Sequence, residues 1–282
     1  MGKIVVVTDS TAYIPAAALG DFDIPVIPLW VIWGDDRFRD GVDIDPQTFY
    51  RRLPESDVVP TTSQPSAGEF IEFFQQVAGQ GDTIVGVHIS SKLSGTIASA
   101  MAAKSQLPDW DIRIVDSLST SMGQGFAVLA AARAAAAGKS ADEVVAAAEH
   151  VRDHMNVLFV VDTLEYLHRG GRIGGAKRLL GTALNIKPLL HIEEGHIEPL
   201  AQVRTKRKAV RRMLDIAEER LGGKPMAEAA VLELDTPDEG EAIAEQVEER
   251  FAVSSAYLTA VSPVIGTHAG PGTVGLCFYP EL

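Results

Sequence analysis

Ile4-Val5-Val6-Val7-Thr8-Asp9-Ser10 is an apolar, β-branched run that stops on an acid and a hydroxyl, and the chain returns to this arrangement further on. It recurs at 112–115 before Asp116-Ser117, at 157–161 before Asp162-Thr163, and at 230–234 before Asp235-Thr236. Continuous apolar runs fit strands covered on both faces, and Asp followed by Ser or Thr fits a turn or helix N-cap. Repeated strand, polar stop and helix make β-α units. Further strands are expected at 25–31 and 83–89, with helices at 67–77, 96–107 and the alanine-rich 123–137, where Gly138 is placed for a C-cap. Ser140-Ala141-Asp142-Glu143 has capping-box spacing ahead of a helix over 144–151. For residues 1–155 the pattern predicts a doubly wound, mainly parallel sheet, in which ligands lie at the carboxyl ends of the strands.

After residue 155 the pattern changes. Residues 187–192, the turn Glu193-Glu194-Gly195 and residues 196–203 read as a β-hairpin, which requires an antiparallel element. Helices at 205–221 and 236–251 flank the strand at 230–234, and one more strand is expected at 256–261. The fold class is therefore α/β with two α/β domains: 1–155 with the parallel sheet, and 156–282 with a mixed sheet carrying the hairpin. A chain of 282 residues is long enough for two such cores.

Composition excludes several function classes. No apolar run approaches the roughly 20 residues of a membrane-spanning helix. The start, Met1-Gly2-Lys3 followed at once by the first strand, does not read as a signal peptide, so a cytoplasmic location is expected. Cys277 is the single cysteine and lies in the apolar stretch 274–278, which suits a buried small hydrophobe and excludes an internal disulfide. A net charge of −13 argues against nucleic acid as partner. Yet residues 168–212 hold eleven Lys/Arg against three Glu. That excess is either a solvated helix face or a patch for an anionic ligand, a transient membrane-surface contact or an acidic partner. Asp35, Asp36, Asp40, Asp43 and Asp45 lack calcium-loop spacing and read as a solvated loop; the histidines lack H-x-x-x-H spacing, so no metal is expected.

Four polar motifs carry the chemistry. Thr61-Thr62-Ser63-Gln64-Pro65 is held extended between prolines. Ser66 is placed to cap the following helix, whereas Thr62 and Ser63 lie too far upstream for that and offer donors to a carboxylate or phosphate. Ser90-Ser91-Lys92-Leu93-Ser94-Gly95-Thr96 joins a strand to a helix N-terminus, a position that favours an anion, and Gly95 beside Ser94 lets a ligand approach. In Arg169-Gly170-Gly171-Arg172, Arg172 either pairs with an anion or bridges to an acidic residue. His268, in the glycine-rich stretch 266–272, is either structural or a donor or acid/base at a site. Gly270-Pro271-Gly272-Thr273-Val274-Gly275 matches G-x-G-x-x-G, but it opens no βαβ helix, and no phosphate-loop motif for ATP is present. Hydroxyls, amides and a cation beside apolar runs suit an anion with an apolar tail.

These motifs, with Val7-Thr8-Asp9-Ser10-Thr11, Val115-Asp116-Ser117 and Ile186-Lys187-Pro188, closely resemble in sequence order the DegV family of bacterial fatty-acid-binding proteins, the acyl-carrying subunits of fatty-acid kinase. The match covers nearly the whole chain. The resemblance implies a long-chain fatty acid in an apolar tunnel, its carboxylate near the domain interface and bonded by Thr62 and Ser94, with Ser63 and Gly95 in support. Arg172 and His268 would lie near the head group. A separate ATP-dependent kinase subunit would phosphorylate the carboxylate, so this chain would be a carrier rather than an enzyme, with no cofactor. Ile97 stands where relatives often have an aromatic residue, and Arg169 where Lys is common. The energetics agree: about 16 buried carbons at about 0.8 kcal/mol per methylene give a gross gain near 12 kcal/mol before ordering costs. The rival reading is a serine hydrolase with Ser94 as nucleophile and His268 as base, although Ser94 is outside G-x-S-x-G and no acid partner for His268 can be named.

Overall fold

The computed structural model describes residues 2–181 and 186–281; Met1, the first residue of the start that does not read as a signal peptide, lies outside them. The chain opens with β1 (Ile4–Asp9), a short helix α1 (Ala16–Leu19) and β2 (Val26–Ile27). The hairpin β3 (Trp30–Trp33) and β4 (Asp36–Arg39) leads through α2 (Pro46–Arg52) to β5 (Thr61–Ser63). Then α3 (Ala67–Val77), β6 (Thr83–His88), α4 (Thr96–Ser105), β7 (Asp111–Asp116), α5 (Met122–Ala136) and α6 (Ala141–His154) complete the first half. In the second half β8 (Asn156–Val160) and α7 (Glu165–Arg169) precede the hairpin β9 (Lys187–Glu193) and β10 (His196–Val203). The chain ends with α8 (Lys206–Leu221), β11 (Met226–Glu233), α9 (Pro237–Arg250), β12 (Ala256–Ala260), α10 (Pro263–Ala269) and β13 (Val274–Pro280).

A four-stranded parallel sheet runs β2-β1-β6-β7. Alternate residues of a strand face opposite sides, and here both sides are covered. Val5, Val7, Ile84 and Ile112 pack with Phe70 and Phe74 of α3 and Ala100 and Ala103 of α4. Val6, Val85, Val87 and Val115 instead join Met122 and Phe126 of α5 and Val144 and Ala148 of α6. The sheet is thus doubly wound. Ser66 and Ser140 each form a capping box, with Glu69 and Glu143 respectively, so the plain capping role of Ser66 holds.

The run 25–31 departs from the single strand expected. Pro28 has no amide hydrogen to continue a ladder, so Val26–Ile27 pairs with β1 while Trp30–Trp33 enters a separate three-stranded sheet, β4-β3-β5. The acidic stretch after it is not a solvated loop either. Asp36 begins β4, Asp43 pairs with Arg39, and Asp45 caps α2 through the Thr48 amide. Asp40 is buried and accepts a 2.7 Å bond from Ser10, and burial pushes its carboxyl up to about 7. Alternating Asp with Trp, Phe and Arg had hidden a hairpin.

The second sheet is six-stranded and mixed, in the order β10-β9-β8-β13-β11-β12, with β13 in its middle. Only β11 and β12 run parallel. The expected hairpin is present, turning on Glu194 (φ 47) and Gly195 (φ 82). Between the sheets lies α5, whose buried residues run all round the helix. Arg133 on α5 makes bonds of 2.6 and 2.7 Å to the Glu228 carboxylate on β11, which also accepts from Tyr279 Oη. One core cluster is continuous from Val6 through Phe126 to Leu232. Among the described residues no helix is long and apolar enough to cross a membrane, and no group of three or more His, Cys, Asp or Glu could hold a metal ion.

The hairpin tip couples the sheets. Ser90 Oγ donates to the Gly195 carbonyl at 2.9 Å, and a Cβ at Gly195 would lie 2.5 Å from that hydroxyl. Gly195→Val is therefore expected to lower unfolding free energy by about 1–3 kcal/mol through backbone strain, with the contact to Ser90 adding to it. Urea denaturation checks this; an unchanged midpoint would contradict the coupling.

Candidate functional site

The carboxyl ends of the parallel strands, β5 and α10 meet around one cavity of about 900 Å³, counting its open mouth. Leu29, Ile89, Val157, Phe159, Leu232 and Val264 supply apolar wall, drawn from both sheets and the segments beside them. Thr62, Ser63, Gln64, Ser94, Arg172 and His268 add polar groups to the same lining.

Thr62 pairs directly with Val31, which is fully buried in the core. Opposite residues in an antiparallel pair share a face, so Thr62 points inward. Its Oγ1 lies 2.8 Å from His268 Nε2. The other ring nitrogen, Nδ1, is buried without a hydrogen-bond partner among the described residues. It is close to Gly170: a Cβ there would stand 2.0 Å from Nδ1, although φ of −73° would suit any residue. Gly170 is thus glycine for the room it leaves the imidazole. Burial pushes His268 down to about 4, and the nearby Arg172 guanidinium adds to the shift, so the ring is neutral at pH 7.

Ser94 Oγ is 2.9 Å from Thr96 Oγ1 and accepts from the Thr96 amide at 3.3 Å. Arg172 spans two turns, donating from Nε to the Leu93 carbonyl at 3.0 Å and from Nη1 to the Gly170 carbonyl at 2.6 Å. It makes no salt bridge to an acid among the described residues, which sets aside its reading as an acidic bridge. Instead it fastens the Ser94 turn to the turn beside His268. Ser63 Oγ bonds the Gln64 carbonyl at 3.2 Å.

Five of the six expected residues, Thr62, Ser63, Ser94, Arg172 and His268, line this cavity. Gly95 does not. A Cβ on Gly95 would lie 2.9 Å from Gln64 Nε2, so this glycine admits the Gln64 side chain rather than touching a ligand. Sequence reasoning passed over Gln64, Thr120 and Ser121, all of which line the cavity. The dense hydroxyls of Ser117-Leu118-Ser119-Thr120-Ser121 were the available signal, hidden because a turn after β7 explains the first of them. The hydrolase pair is not assembled: His268 bonds Thr62 and Ser94 bonds Thr96.

Fold and site together define an α/β protein built round an apolar cavity with a polar cluster in its wall. The chain belongs to the DegV family, whose model, described as an uncharacterised protein of the DegV family, matches residues 3–281. A DegV domain-containing protein of Streptomyces coelicolor is 42% identical over 275 residues, covering 97% of both chains. Protein DegV of Bacillus subtilis is 35% identical over 278 residues, with 98% of this chain and 99% of that one covered. Among solved structures, a Thermus thermophilus DegV family protein described by its fatty acid binding superposes with TM-score 0.92 at 35% identity, covering 99% of this chain and 100% of that one. Bacillus subtilis DegV, described as a fatty acid binding protein, gives 0.90 at 33% identity, with 100% of both chains covered.

The low pKa of His268 has a measurable consequence. Its folded value lies below the ordinary 6.5, so the stability tied to the neutral ring is complete above pH 6.5 and is lost as pH falls toward about 4. Imidazole resonances followed by NMR are expected to show His268 unprotonated at pH 5; titration near 6.5 would refute its enclosure.

Proposed function

We propose that this protein binds a long-chain fatty acid with its acyl chain in the cavity and its carboxylate on the Thr62 and Ser94 hydroxyls. Ser63 supports the head group, Arg172 and His268 stand beside it, and Gly95 acts through Gln64. The observation that carries this reading is the joining of an apolar cavity to hydroxyl donors and a neutral imidazole in one lining. The relatives described as fatty acid binding support it.

The chemistry of the head group follows from proton positions. With the proton on His268 Nε2, the imidazole donates to Thr62 Oγ1 and frees the Thr62 proton for a carboxylate oxygen. Nδ1 is then a bare lone pair. Ser94 can turn its proton from Thr96 toward the second oxygen. Arg172 contributes positive potential while its fork stays on the two carbonyls. Burying methylenes supplies most of the affinity, and the hydroxyls offset carboxylate desolvation and fix its orientation.

In this reading the two domains, 1–155 and 156–282, hold the ligand near their interface, and the protein is a carrier. A separate ATP-dependent kinase subunit would transfer the γ-phosphoryl group to the bound carboxylate, giving acyl phosphate and ADP. Arg204, Arg207, Lys208 and Arg211 are exposed and offer that subunit, or a membrane surface met transiently, a cationic approach. Others of the basic segment are already engaged: Lys187 with Asp162 and Lys206 with Glu239.

Mass spectrometry of an organic extract of freshly purified protein is expected to return near-stoichiometric long-chain fatty acid. Thr62→Ala/Ser94→Ala should weaken binding at least about a hundredfold, two charge-assisted hydrogen bonds at about 1.5 kcal/mol each being removed. No lipid in the extract and no uptake of added fatty acid would reject the reading. Fluorophosphonate labelling of Ser94 would favour the hydrolase instead.

A further inference from the structure

The cavity has a second polar place that the head group does not use. Thr120 and Ser121 lie at the N-terminus of the 15-residue helix α5 and line the same cavity. Ser121 is 2% exposed, and neither its Oγ nor Thr120 Oγ1 has a hydrogen-bond partner among the described residues. Leaving a buried hydroxyl unmade costs about 1–3 kcal/mol, so two together call for a ligand that satisfies them.

Ser121 occupies the N-cap position but does not cap. Its side chain makes no bond to the helix, whereas the Ser66, Ser140 and Ser262 side chains each accept from a first-turn amide. Its backbone is fully engaged: the amide donates to the Thr11 carbonyl at 3.0 Å, and its carbonyl accepts from Gln124 and Gly125. Those bonds hold it at φ 52°, ψ −143°, a conformation that costs a non-glycine residue of order 1–3 kcal/mol. The backbone thus withdraws the hydroxyl from capping.

The place is distinct from the carboxylate cluster. Thr62, Ser94, Arg172 and His268 come from β5, the turn before α4, the turn after α7, and α10. Thr120 and Ser121 come from the turn that leads into α5, whose start abuts the apolar wall: a Cβ at Gly123 would stand 2.6 Å from Val157 Cγ2. An acyl chain lying on Val157 would pass beside two unsatisfied hydroxyls.

We propose that Thr120 and Ser121 recognise a hydroxyl group carried on the acyl chain, so that the cavity selects a fatty acid hydroxylated at one position along its chain. A hydroxyl both donates and accepts, as do its two partners, and the α5 N-terminus favours the oxygen. The inference rests on the fatty-acid reading above.

The test measures affinities of octadecanoic acid and its positional monohydroxy isomers for wild type, Thr120→Val and Ser121→Gly. Valine keeps the threonine shape, and glycine is at ease at φ 52°, so both substitutions remove the hydroxyl with little call on the fold. One isomer is expected to bind wild type at least as tightly as the unsubstituted acid, and its affinity relative to that acid should fall about tenfold in each variant. All isomers binding more weakly than the parent acid, by the same factors in wild type and variants, would overturn the proposal while leaving the fatty-acid reading intact. Failure of the parent acid to bind wild type would remove both.

Discussion

The first half of one helix must be buried on every side for the two sheets to meet. Over Met122–Leu129, α5 lies between the parallel and the mixed sheet, and a helix segment in that position cannot present a polar face to anything. Its sequence meets the demand with small residues where the approach is closest. A Cβ at Gly123 would collide with Ser119 and Val157, and one at Gly125 would press on Met122 and Ile14. The polar residues it does carry are spent on the fold. Gln124 bonds Thr8 and Thr11 on the parallel-sheet side, and Arg133 bonds Glu228 on the mixed-sheet side. With both faces of α5 committed, the sheets come together at a fixed distance, and the cavity is the space left where α5 begins.

The rim of that cavity keeps most of its polarity neutral. A buried cation facing a carboxylate would gain Coulomb energy, but at a desolvation cost that can exceed the gain. Here a neutral imidazole and hydroxyls line the wall, and the Arg172 charge is already bonded to the Leu93 and Gly170 carbonyls. Arg172 also lowers the proton affinity of His268, so the two residues are electrostatically linked. On the proposed binding mode, such an arrangement orients a carboxylate without a close ion pair to hold it.

The parallel sheet, the hairpin and most helices were legible because each rests on local chemistry: apolar runs ended by Asp and a hydroxyl, capping boxes at Ser66 and Ser140, and Glu194-Gly195 at a tight turn. Five of the polar residues that line the cavity were legible from their motifs and from the family resemblance, since hydroxyls beyond those needed for capping stand out. What failed was non-local. Pro28 ends the ladder with β1, but which sheet the residues after it join depends on partners β4 and β5 further along the chain, and a run of side chains does not show this. Gly95 and Gly170 sit in ordinary conformations, so no turn rule marks them; their reason is the side chain of another segment, Gln64 or His268. Thr120 and Ser121 were masked because a plausible turn accounted for the neighbouring serine.

By its position β13 joins the two halves of the mixed sheet. It is the last strand in sequence, yet it stands between β8 and β11, so the two halves of the mixed sheet share no hydrogen-bonded ladder until it arrives. The cavity wall needs both halves, Phe159 from one and Leu232 from the other, and the Thr62–His268 bond closes a separation of 206 residues. During synthesis the parallel sheet can form early, but the binding chamber has no far wall until residues 274–280 have been made. On the fatty-acid reading proposed above, a chamber able to hold an acyl chain therefore needs β13 in place between β8 and β11.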